Sequence, residues 1–194
     1  MKTMFVFLAC VALSALPEVA KGHENSDDAS RDDPHAFRES ALELIATEGP
    51  DLHASLRARK IDESTRHLPA GLRPPKNPYV STQPKFVHAI ARSSSQGRLS
   101  EVGVRAVLYG LYSAEHDLGL YGIEAESMAE ADRRETLLRE IWAHNARLNR
   151  ARVHRKDLFL IVVWTDGVSP ECWQSVNEHV IKRMNTITSK HADE

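Results

Sequence analysis

Apolar positions along this chain fall into blocks of different period, and each period predicts an element. Met4 to Leu16 is an apolar run interrupted only by Ser14. From Phe37 the spacing becomes helical: Phe37, Ala41, Leu44 and Ile45 share one face, Asp33 is placed to cap it, and Gly49-Pro50 stops it. Asp51 is placed to cap a second short helix. Between Asp62 and Lys85 the chain carries Pro69, Pro74, Pro75, Pro78 and Pro84 and loses all periodicity, which predicts an extended connector laid over the domain.

Beyond the Ser93-to-Gly97 loop the period falls to two. Val104, Ala106, Leu108, Gly110 and Tyr112 alternate with Arg105, Val107, Tyr109 and Leu111, and Leu118 to Ala125 repeats the pattern. The five residues Ser113 to Asp117 suit a hairpin loop, across which Tyr109-Gly110 and Tyr121-Gly122 are expected to face each other. Ser127 and Glu130 have capping-box spacing and open a helix to about Asn149, with Leu137, Leu138, Ile141, Trp142 and Leu148 along its stripe. Leu158 to Trp164 is solidly apolar and reads as a strand buried on both faces. A helix joins it to the preceding strand, so the two are expected to run parallel through a right-handed crossover. Ser169 and Pro170 then start a last helix faced by Trp173, Val176, Val180, Met184 and Ile187.

These elements predict an α+β fold: a two-layer ββαβα core over residues 99–188 with an N-terminal helical arm at 36–61. The Pro-rich connector occupies 62–98 and a C-terminal tail 189–194. A 172-residue chain without its leader is long enough for one domain with flanks.

Lys2, the apolar run and the breaker Pro17 have the layout of an export signal, with Ala20 and Gly22 at the small-residue positions for cleavage before His23. Thirteen residues are too few to span a bilayer, which needs about 20. A soluble, secreted or periplasmic protein is therefore expected, with no membrane span. Residues 23–35, HENSDDASRDDPH, hold five carboxylates and no large apolar side chain, and read as a disordered acidic tail.

The full chain has 25 basic and 27 acidic residues; without residues 1–22 these become 23 and 26. A net charge near −3 excludes a general polyanion binder, and nucleic acid is not an expected partner. The local exception is Arg147, Arg150, Arg152, Arg155 and Lys156, five cations within ten residues without an acid. At a helix C-terminus they would complement the dipole, and they would also dock an anionic or acidic protein partner. Two short motifs lie in the Pro-rich span. Pro75-Lys76-Asn77-Pro78 has PxxP spacing behind Arg73, and Arg66-His67-Leu68-Pro69 resembles three of the four positions of the host-entry tetrapeptide of oomycete secreted effectors. Neither assigns a family.

Only Cys172 is left once Cys10 departs with the leader, so no internal disulfide forms. Cys172 falls in the first turn of the last helix, where unpaired N–H groups favour thiolate, beyond the carboxyl end of a central strand. Asp166 and Ser169, in the turn and cap before it, complete the catalytic candidates, and Trp173 joins the binding candidates. His116, His144, His154 and His179 are the available bases, while Glu171 opposes ionisation. No cofactor motif occurs. A non-enzymatic binding module is the first functional expectation, a thiol enzyme using Cys172 the second, and metal handling through His23, His35 and the nearby carboxylates the third.

Overall fold

The computed structural model describes residues 40–64, 67–144 and 150–191. The expected export signal, the acidic segment with His23 and His35, Arg66 and Arg147 lie outside these residues, and of Arg150 only the backbone is described. The described residues all fall within one compact unit.

A short 3-10 turn, Ala41–Leu44, comes first, capped by Ser40, whose hydroxyl accepts from the Leu42 amide. It is followed by α1 (Gly49–Leu52), β1 (Arg57–Ala58), α2 (Ile61–Ser64), β2 (Tyr79–Ser81) and α3 (Pro84–Ser94). The remainder runs β3 (Val104–Ser113), β4 (Asp117–Ala125), α4 (Met128–Ala143), β5 (Arg150–Lys156), β6 (Phe159–Thr165) and α5 (Pro170–His191). The fold is α+β, as the hydrophobic pattern predicts. All six strands form one antiparallel sheet of order β1-β3-β4-β6-β5, with β2 also on β3.

Three features of the expected layout change. The helix opened by Ser127 stops at Ala143 rather than about Asn149, and residues 150–156 form a strand that the sequence reading places in a helix end. A two-residue turn at 157–158 then folds β6 back on β5, so β6 lies antiparallel to β4 and the expected parallel crossover does not form. The core also has three layers where two are expected. Side chains alternate along the central strands, so Tyr109, Tyr121, Val162 and Trp164 meet α3 and α4 on one face. Leu108, Leu120, Ile161 and Val163 meet the 41–58 segment and α5 on the other. A strand covered on both faces must be apolar throughout, which is why all seven residues of β6 are buried.

The hairpin register pairs Tyr109 with Tyr121, their rings 5.6 Å apart, while Gly110 faces Leu120 and Gly122 faces Leu108. Within the Pro-rich span, β2 and α3 are integral to the sheet and core, α3 contributing Phe86, Val87, Ile90 and Ala91. The PxxP segment is not free for capture, because Pro78 is buried and Asn77 is bonded to β3. Its Nδ2 donates to Leu111 O (2.7 Å) and Arg59 O (2.9 Å), and its Oδ1 accepts from the Leu111 amide (3.0 Å). The carboxamide thereby fills the gap between β2 and β1 along β3.

Candidate functional site

Cys172 does occupy the first turn of α5, but the environment there does not favour thiolate. Its backbone N–H donates to the Ser169 hydroxyl (3.2 Å), so the cap takes up one of the donors that an anion would need. The residue is 1 % exposed and belongs to the same core cluster as Val176, Val168 and Leu52. Burial pushes the thiol pKa up, and the Ser55 hydroxyl beside it acts in the opposite direction. Ser55 is in turn 2.8 Å from His53 Nδ1. None of the four histidines considered from sequence is the one connected to the thiol; His53 reaches it through Ser55. The two are 119 positions apart in the chain, and no local motif announces the contact.

Asp166 and Ser169 each have structural bonds. Asp166 Oδ1 accepts from the Asp117 amide (2.6 Å) and its own N–H returns to Asp117 O (3.1 Å), fastening the β3–β4 turn to the end of β6. Trp173 is a core residue in the first turn of α5, 8 % exposed. In native protein, iodoacetamide is expected to label Cys172 at least a hundredfold more slowly than in denaturant across pH 6 to 9, since a buried neutral thiol is a poor nucleophile. Comparable native and denatured rates would restore it as a reactive group.

The basic residues are resolved into two sets by the strand they occupy. Alternation along β5 turns Val153 and Arg155 toward α4 and His154 toward α5. Arg155 is neutralised by two acids of α4, Asp132 and, at 3.1 Å, Glu135. Arg152, on the α5 side with His154, is exposed, and Lys156 is half-buried; neither forms an ion pair among the described residues. His154 Nε2 lies 2.6 Å from Asn177 Oδ1. Burial holds the His154 pKa below its ordinary value against the opposing effect of that bond, with Arg152 and Arg139 adding to the depression. The ring is therefore neutral at pH 7, and the fixed positive charge on this side of the strand belongs to Arg152 and Lys156.

A third cluster has no sequence signal. Buried Asp117, at the start of β4, accepts from Arg59 Nη2 (2.7 Å) and Nε (3.1 Å) on one carboxylate oxygen, and His67 Nε2 lies 3.9 Å from the other. Glu63 is 3.3 Å from Arg59 Nη1. The His67 ring meets Trp164 edge-on at 4.9 Å, and Trp164 Nε1 is buried without a hydrogen-bond partner among the described residues. The guanidinium satisfies the carboxylate and pins Arg59 to the hairpin, which is a structural arrangement.

Among the described residues no group of three His, Cys, Asp or Glu side chains is placed to hold a metal, and no helix is long and apolar enough to cross a membrane. No family model, curated protein or solved structure matches the chain.

Proposed function

We propose that this chain is a non-enzymatic binding domain whose working surface is the basic side of β5. One observation carries the reading: among the described residues Arg152 and Lys156 stand unpaired on a strand where another cation, Arg155, is fully engaged by α4. A charge already paired adds little to binding, whereas two uncompensated cations on a rigid strand attract an anionic surface without rearrangement. Support for a partner outside the cytosol comes from Lys2, the apolar run and Pro17.

The test is charge reversal in place. Full chain is titrated into fluorescein-labelled poly-L-glutamate, and Arg152→Glu with Lys156→Glu is expected to weaken binding at least tenfold. Lys85→Glu with Arg105→Glu makes the same net change at exposed positions on α3 and β3 and is expected to leave binding within twofold. Equal losses from the two pairs would reduce the effect to net charge and overturn the surface.

The second reading, a thiol-dependent reaction, is favoured by the His53, Ser55 and Cys172 contacts. The burial that raises the Cys172 pKa stands against it.

A further inference from the structure

The sheet ends at β5, whose only strand partner among the described residues is β6. An unpaired edge presents half of its backbone N–H and C=O groups outward. Register identifies which half. Lys156 pairs with Phe159 across the two-residue turn at 157–158, and such a turn closes on a pair that exchanges both hydrogen bonds. Counting back by parity, Lys156, His154 and Arg152 bond inward to β6, so Ala151, Val153 and Arg155 direct their amides and carbonyls to the open side.

We propose that this edge takes up an extended acidic segment of a partner protein as a seventh strand, antiparallel to β5. The inference rests on β5 being the binding surface, and adds the mode and the partner's chemistry. Arg152 and Lys156 share one face four residues apart, about 13 Å along a strand at ~3.3 Å per residue. Partner carboxylates four apart in an extended chain have the same spacing and lie opposite them. Between these carboxylates, on the other face, the partner places an apolar residue opposite Val153, beside Ala151 at the rim of the core.

Charge selects the occupant. A second copy of this chain pairing β5 with β5 about His154 would set Arg152 against Lys156, and like charges directly opposed destabilise a strand pair. Basic residues on an edge therefore block self-association while admitting an acidic strand. Antiparallel addition continues the direction of every other pair in the sheet.

Three peptides of alternating Glu and Val separate this proposal from the one on which it rests. In antiparallel addition the Val residues exchange both backbone bonds with Val153 and its outward-facing neighbours, and the Glu amides point away. The unmodified peptide is expected to bind full chain and to slow hydrogen exchange at Ala151, Val153 and Arg155. The form N-methylated at every Val keeps all its charge and is expected to bind at least tenfold more weakly, and the form N-methylated at every Glu within threefold. If all three bind equally and exchange is unchanged, strand addition is overturned and the basic surface stands. If none binds, both are overturned.

Discussion

Replacing Gly119 with alanine is expected to lower stability toward denaturant by about 3 kcal/mol, because the new methyl must displace a large buried ring. Gly119 on β4 pairs with Trp164 on β6, and the indole folds across the glycine so closely that a Cβ would fall inside its pyrrole edge. Trp164 is buried, and its ring contacts Tyr121 at 6.4 Å and His67 at 4.9 Å. Displacement would break both contacts, and a shift in tryptophan emission should accompany the lost stability. A double-mutant cycle isolates the cause. In a Trp164→Phe background the smaller ring leaves room, and Gly119→Ala is expected to cost at least 1 kcal/mol less. An equal cost in both backgrounds would assign the effect to the strand backbone.

Arg134→Met is expected to cost about 3 kcal/mol or more, in the range found when one partner of a buried pair is removed. Arg134 is fully buried on α4, where a cation is tolerated only if its bonds are made elsewhere. Its Nη2 donates to the carbonyls of Val102 (2.6 Å) and Ser100 (2.9 Å), and its Nε lies 2.7 Å from Glu130. Burial lowers the guanidinium pKa and the adjacent Glu130 opposes that, yet no accessible pH discharges the group. Methionine fills similar volume but leaves the Ser100 and Val102 carbonyls without the donor that ties their loop to α4. Glu130 keeps Arg133, at 2.7 Å, so the loss is concentrated in the 100–102 loop. Urea midpoints measure the total, and hydrogen exchange around residues 100–104 should show the loop opening first. Stability unchanged within 1 kcal/mol would mean that water replaces the guanidinium.

What the sequence made legible was whatever local chemistry decides. The alternation at 104–125 gave the hairpin, the solid run gave β6, and Ser169 with Pro170 marked the start of α5. Glu130 has the spacing of half a capping box. The Ser127 hydroxyl does accept from the Glu130 amide, but the Glu130 carboxylate engages Arg133 and Arg134. β5 was missed although Ala151 and Val153 alternate with Arg150, Arg152 and His154. Charge dominated that pattern, and seven residues with two apolar positions resemble a frayed helix end until a neighbouring strand is available to pair. α3 was hidden among prolines, with Phe86, Val87, Ile90 and Ala91 nonetheless in helical spacing behind Pro84. The contacts of Cys172 with Ser55, and of Asp117 with Arg59, join residues far apart in sequence and had no local trace.

The two margins of the sheet are unlike. On one, β3 is met by strands of only two and three residues, with the Asn77 carboxamide standing in for a peptide between them. On the other, β5 offers seven residues in unbroken register. A polymer that grows by adding strands needs a complementary acceptor at both margins of each unit, and this sheet has one. Under the proposed strand addition, a strand that joins at β5 would therefore end the series, giving one partner per domain with no second margin to pass the pairing on.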